Sequence, residues 1–384
     1  MKNRILINAL GISDSGGITV LEKALLECQK NNSYTYYVLS FSNKNILELL
    51  TKFDSIENIN FKLIDDFGIF YRLCYENLYL PFFYKKHNIT LVYNFSGSNQ
   101  FFSNIPTLVK VQNLMFYSKK LDDEYKKRYS IKVWLKQIFL KRLLFLFMLR
   151  RSRYIEVQSI HVQDALSEFL NIKEKKFFLK NDFSIDSIFF KDVKKYNLSK
   201  KMIFLYIVGP HFESPHKNIK DFTHAMRLLK DSGQEFEIKI TLDYNSLNES
   251  SQWDAKLNEY TTFLGYLKDK NEIKKYFVDN TILLSTSIIE TLGLHVIEAV
   301  QNGILAIVPD EPYSCEVYGD DILKYELFSS QSLMSKILAI NVMSERKIQE
   351  NITHIQKYMI KNETQKYKSI TNIFDLLLKG DKNV

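Results

Sequence analysis

Residues 281–310 read TILLSTSIIETLGLHVIEAVQNGILAIVPD. Apolar runs open and close the stretch, at Thr281–Ser285 and Ile304–Val308, and Leu294–Gln301 between them has helical spacing. Two short, continuous apolar runs joined through a helix predict parallel strands buried on both faces. Two carboxylates, Glu290 and Glu298, bracket seven residues of the connection, and Gly293 among them marks where the loop ends and a helix begins near Leu294.

The same alternation extends outward. Strands are predicted at Met202–Val208, Phe236–Leu242 and Thr262–Gly265, with helices over Asn218–Lys230 and Lys270–Phe277. In the first half, strands are predicted at Arg4–Leu10, Tyr34–Ser40, Ile59–Ile64, Thr90–Phe95, Thr107–Gln112 and Tyr154–Gln158. Helices are expected over Ile18–Asn31, Asn45–Phe53 and His161–Leu170. The polar segment 190–201 interrupts the pattern and marks a boundary. The expectation is an α/β chain of two Rossmann-like domains, 1–190 and 200–355, facing across a cleft. Helices follow over 356–384 and pack back on the N-terminal domain.

A chain of 384 residues suits two domains. Its 46% hydrophobic and 25% charged residues are ordinary for a globular protein. Three separated cysteines, Cys28, Cys74 and Cys315, form neither a disulfide framework nor a metal spacing, which fits a cytoplasmic setting. The apolar run after MKNR is too short for a signal peptide and reads as a first strand. No stretch reaches the length of a membrane span.

The net charge of +8 is unevenly spread. Between Tyr125 and Ile155 lie ten Lys or Arg residues and no acid, around the apolar run Leu143–Leu149. A basic helix with a strong apolar face over 126–153 fits an anionic membrane surface. The same pattern fits a long amphipathic helix packed on its own domain with a solvated basic side. No nucleic-acid motif accompanies the charge, so nucleic acid is not the expected partner.

A helix start offers unpaired N–H groups and partial positive charge, which suit a phosphate. Glu298, in the first turns of that helix, would repel the phosphate unless it has another task, such as accepting hydrogen bonds from ribose hydroxyls. Glu290, before the turn, is placed to accept bonds from the hydroxyls of a sugar. Glu298 read alone is equally a stabilising carboxylate near a helix start. The two together with Gly293 point to a nucleotide-sugar.

The run Glu290-Thr-Leu-Gly-Leu-His-Val-Ile-Glu298 resembles the glutamate, seven residues, glutamate signature of retaining GT-B glycosyltransferases, in particular glycosyltransferase family 4 of the bacterial surface-polysaccharide type. The resemblance implies that Glu290 and the backbone of Thr291, Leu292, Gly293 and Leu294 hold the donor sugar, and that Glu298 holds the ribose. His295 stands where the family often has proline. In VGPHFESPHKNIKDF, Lys217 matches the diphosphate-binding lysine, while Pro210 occupies a place that is often arginine. His211 or His216 is a weak substitute for the missing charge. GISDSGGITV carries Gly16 and Gly17 before a helix, matching the family's phosphate-facing loop; it is not a P-loop, since Gly17 and Ile18 stand where Lys and Ser/Thr are required. Gln112 and Asn113, after the strand TLVKV, match a loop on the acceptor side. YIEVQSIHVQDAL and FFLKNDF resemble the last N-domain strand–helix and the interdomain entry.

No Asp-x-Asp occurs, and Asp65-Asp66 and Asp320-Asp321 read as turn and surface residues. The resemblance therefore implies a transfer without metal or other cofactor, with Glu290 and Lys217 in the catalytic roles. A sugar would pass from a nucleotide diphosphate to a glycan or lipid-linked glycan acceptor, in capsule, O-antigen or similar synthesis. The protein would be cytoplasmic and peripheral on the inner membrane face. A noncatalytic GT-B subunit that binds a glycan or a partner enzyme is the alternative, kept open by Pro210.

Overall fold

The structure is a computed structural model. It describes residues 2–12, 15–66, 68–101, 103–170, 176–180, 182, 190–197, 199–267, 270–363 and 366–379. Ser13 and Asp14 of the glycine-bearing loop, Asn181 and Phe183 of the expected interdomain entry, and Leu198 of the expected boundary segment lie outside the described residues. The chain forms two compact units. The first comprises Met1–Tyr117, Leu135–Ser184 and Lys366–Val384; the second comprises Ser118–Trp134 and Ile185–Gln365.

The strands of the first unit are β1 (Asn3–Asn8), β2 (Tyr34–Phe41), β3 (Ile59–Ile64), β4 (Leu91–Asn94), β5 (Thr107–Lys110), β6 (Tyr154–Val157) and β7 (Lys176–Leu179). They pair in the order β3-β2-β1-β4-β5-β6-β7, all parallel. Alternate residues of β1 explain its unbroken apolar run. Ile5 and Ile7 pack among Leu21, Leu25, Tyr36 and Phe374 on one face, and Leu6 packs with Leu39, Leu80 and Phe83 on the other. The helix Ile370–Leu378 belongs to this core: Ile370, Ile373 and Phe374 are fully buried, and the Phe374 ring lies 5.4 Å from that of Tyr93.

The second unit carries β8 (Met202–Tyr206), β9 (Phe236–Ile240), β10 (Thr261–Phe263), β11 (Thr281–Leu284), β12 (Leu305–Pro309) and β13 (Leu323–Tyr325). Their order is β10-β9-β8-β11-β12-β13, again all parallel. Phe204, Tyr206, Ile238, Ile240, Leu284 and Ile307 pack under the helices Ile219–Asp231 and Ser330–Ile340. Two parallel, doubly covered sheets agree with the expected architecture. In each, the order reverses beside the first strand, between β1 and β4 and between β8 and β11, which places ligand-binding loops at the carboxyl ends of those strands.

Among the strands, β7 and β13 have no counterpart in the sequence reading. Both are short edge strands with half-exposed members, so neither makes an apolar run. The long helical stretch from Ile69 to His87 is also new: it contains a wide π-turn at Tyr75–Tyr79.

Candidate functional site: a lysine–glutamate pair at a helix tip

The switch point of the second unit is built by the loops that follow β8 and β11. After β8 the chain passes Gly209 and Pro210 and makes a short 3₁₀ turn, Pro215–Lys217. Asn218 then adopts a left-handed conformation, φ 47°, and the helix Ile219–Asp231 begins. Asparagine is among the few residues that tolerate this region.

Two bonds tie this turn to the loop after β11, and a third ties the end of β8 to the same loop. Ile288 N donates to the His216 carbonyl at 2.8 Å, Thr286 Oγ1 donates to the Lys217 carbonyl at 2.9 Å, and the buried Tyr206 hydroxyl meets Thr286 Oγ1 at 2.7 Å. Lys217 is thereby brought to Glu290, and its Nζ donates to Oε1 at 2.8 Å. The pair is partly open: the side chains are 28% and 17% exposed. Burial alone would raise the Glu290 pKa. The Lys217 ammonium and His295 outweigh it and hold the carboxyl near about 2.

Gly293 caps the helix Leu294–Gln301 at φ 58°, ψ 58°. Two constraints require glycine there. The left-handed backbone disfavours a side chain, and a Cβ would lie 2.1 Å from the Tyr318 hydroxyl oxygen. Tyr318, fully buried, donates to the Leu292 carbonyl at 2.9 Å, and Tyr313 donates to the Ser287 carbonyl at 2.7 Å. These two tyrosines fix the loop that carries Glu290 and Thr291. Among the first helical amides Val296 N donates to the Gly293 carbonyl at 2.9 Å, and a helix start of this kind suits an anion in general.

His295, the second helical residue, bonds Ser285 Oγ at 2.9 Å, and burial lowers its pKa. Glu298 is half-buried one turn into the helix. His216 is pushed down to about 4 by burial and by the neighbouring Lys217, so it is neutral near pH 7 and does not replace the charge missing at Pro210. His211 is exposed.

The remaining expected residues lie in the first unit. Gly16 and Gly17 fall in the first turn of the helix Ser15–Gln29. Gln112 and Asn113 follow β5. Asn113 Oδ1 accepts from Met115 N at 2.8 Å and so shapes a turn, while the buried Gln112 Nε2 has no hydrogen-bond partner among the described residues. Asp66 Oδ1 caps a turn through Gly68 N, and Asp320 is exposed, as expected of turn and surface residues.

Sequence reasoning misses the supports. Tyr206, Tyr313, Tyr318, Thr286 and Ser285 act through contacts distant in sequence and carry no local signature. It also misses a polar network at the switch point of the first unit. There Asn8 Nδ2 donates to Glu76 Oε1 and Asn94 Oδ1, and Arg72 donates to Glu76, Ser96 and Ser98. Arg72 lies directly under Gly11, where a Cβ would come within 2.5 Å of its guanidinium.

Residues 189–366 match the family described as glycosyl transferases group 1. No curated protein matches the chain. Solved structures of similar fold include a glycosyltransferase from Rickettsia africae, with 17% identity, 99% of both chains covered and a TM-score of 0.64. HepE of Anabaena, solved with UDP and glucose, is 14% identical over 97% of this chain and 99% of that one, with a TM-score of 0.64. The lipopolysaccharide outer core galactosyltransferase WaaB, in its apo form, is 15% identical over 94% and 98%, with a TM-score of 0.59. At these identities the likeness speaks to fold, and the match over 189–366 includes the lysine–glutamate pair. The chain has the GT-B fold, and the match of residues 189–366 to glycosyl transferases group 1 supports a glycosyltransferase.

Proposed function

We propose that the protein is a retaining, metal-independent glycosyltransferase that takes a sugar from a nucleotide diphosphate and passes it to a glycan or lipid-linked glycan. One observation carries this reading: Lys217 and Glu290 are paired at 2.8 Å beside a helix tip that only glycine can open. In the donor complex Lys217 exchanges this bond for the diphosphate, as a point charge suited to phosphate. The helix amides share the charge that develops on the leaving group. Glu290, ionised throughout the physiological range, accepts bonds from the hydroxyls of the sugar, and Glu298 accepts those of the ribose. Gly16 and Gly17 let bare backbone approach the phosphates, and Gln112 and Asn113 serve the acceptor side.

HepE was solved with UDP and glucose, which favours UDP as the first nucleotide to try. The name of WaaB favours a bacterial surface polysaccharide as product. The basic segment supports a reading in which the protein rests on the inner membrane face from the cytoplasmic side. No described helix is long and apolar enough to cross a membrane. The segment presents Lys132, Lys136, Arg150 and Arg151 to solvent, with Lys141 half-exposed. Arg142 turns inward, its guanidinium 5.2 Å from the Phe169 ring.

A second reading, a noncatalytic subunit of the same fold, is favoured by Pro210 together with the neutrality of His216, which leave the diphosphate one cation short. Calorimetry with UDP and GDP, followed by donor hydrolysis, separates the two. Binding with turnover supports the enzyme, and binding without turnover supports the subunit. Glu298→Gln is expected to weaken nucleotide binding roughly tenfold, the cost of about one charge-assisted hydrogen bond. Glu290→Gln is expected to remove most turnover while nucleotide binding persists. If turnover survives both changes, the assigned site is wrong.

A further inference from the structure

The stretch IFYRLCYENLYLPFFYKKH, residues 69–87, is apolar nearly all round. One side is spent inside the first unit: Leu80, Phe83 and Tyr84 are buried with Leu6, Leu39 and Val92. The other side faces solvent. Phe70 is 82% exposed, Phe82 74% and Leu78 68%, spaced eight and four residues apart. A helix apolar all round belongs in an apolar surrounding, and soluble surfaces rarely leave such rows uncovered.

The helix Leu140–Arg150 carries a second row, Leu140, Leu143 and Phe147, each about half exposed. Both rows border one loop at the carboxyl end of β4. From the first helix, Arg72 donates to Ser96 and Ser98, and Asn77 Oδ1 accepts from Phe101 N. From the second, Arg151 donates to the Phe101 carbonyl, and the Phe147 ring lies 5.5 Å from that of Phe101.

Apart from Asp65 and Asp66, exposed at the turn before Phe70, the exposed charges that flank the rows are basic. Lys85 and Lys86 are exposed at the end of the first helix, and Lys136, Arg150 and Arg151 flank the second. The acid within the first helix, Glu76, is buried against Asn8 and Arg72. Large apolar side chains ringed by lysine and arginine match an anionic bilayer, where the rings enter the acyl boundary and the cations meet the headgroups.

We propose that residues 69–87 form a membrane-inserting helix, which together with 140–150 docks the first unit on an anionic lipid bilayer. This deepens the peripheral contact proposed above and rests on it, adding an inserted element to a purely electrostatic one. The full-length protein is tested by co-sedimentation with vesicles of phosphatidylglycerol and phosphatidylcholine. The variant Phe70→Ser/Leu78→Ser/Phe82→Ser, whose changes are confined to solvent-facing positions, should melt like the wild type and partition at least roughly tenfold more weakly. In the single variant Phe82→Trp, emission corrected for Trp134 and Trp253 should shift to the blue on adding vesicles and stay shifted at high salt.

Unchanged partitioning of the triple variant, or unmoved emission, overturns the inference. If Lys136→Glu/Lys141→Glu/Arg150→Glu/Arg151→Glu abolishes binding while those two readouts do not respond, the basic segment alone holds the membrane and only the insertion falls. If the wild type does not bind vesicles, the peripheral reading falls with it. If the triple variant keeps vesicle binding but converts a dimer to a monomer, the apolar face joins two copies of the chain and the inference is wrong.

Discussion

The lysine–glutamate pair fixes what pH should do. A carboxyl held near about 2 is ionised through the whole working range, and a histidine pushed down to about 4 is neutral through it. The sign follows: the Lys217–Glu290 contact is fully present above the ordinary carboxylate pKa of 4.5 and is lost only as pH falls toward about 2. Between about pH 5 and 8, kcat/KM measured with a nucleotide-sugar donor should therefore show no limb from either group. A titration in that window that disappears in Glu290→Gln would contradict the assignment. Gly293 gives the complementary steric prediction. Gly293→Ala forces a left-handed backbone on a side chain, a strain of about 1–3 kcal/mol, and drives its Cβ into the Tyr318 hydroxyl. Donor affinity and melting temperature should both fall, and adding Tyr318→Phe should recover only the steric part, because the φ of 58° remains.

Among the interior strands, legibility tracked burial on both faces, whereas the edge strands β3 and β10 were read without it. The interior strands are covered on two sides, so their residues form continuous apolar runs that a reader can find without knowing the partners. Strand β7, with Lys176 and Phe177 half-exposed, and β13, three residues long, offer no such run. The helical stretch 69–87 was lost for the opposite reason: apolar residues all round leave no period of 3.6 to detect. At the site, Glu290, Gly293, Glu298 and Lys217 belong to a spaced motif and could be named. Tyr313 and Tyr318 bond backbone 26 residues upstream, and nothing near them in sequence says so. The helix Ile370–Leu378 shows a related limit: it was expected to pack back on the N-terminal domain, but its own period does not name the residues it meets there. Phe374 packs on Tyr36 and Tyr93, Tyr34 bonds Asp375, and Ile370 N donates to Glu27. Phe374→Ala should cost the first unit about 3–5 kcal/mol. In denaturant melts this would appear as an earlier transition for that unit, and a loss below about 1 kcal/mol would mean the helix is dispensable.

At the scale of the molecule, the division of labour lies between the two units. The second holds the residues assigned to the donor, within a domain that matches group 1 glycosyl transferases. The first holds the residues proposed for the acceptor, the Gly16–Gly17 backbone proposed to face the donor phosphates, and the surface proposed to meet lipid. The first unit is also discontinuous. Its sheet begins at Asn3, yet its core takes Phe374 from the far end of the chain. During synthesis the half that leaves the ribosome first must therefore wait for the last helix, with its Tyr36 and Tyr93 pocket unfilled while the second unit is still being made. Newborn chains pass through a stage in which one half is finished and the other is open, and a chaperone or protease that reads exposed aromatic surface has its opportunity then.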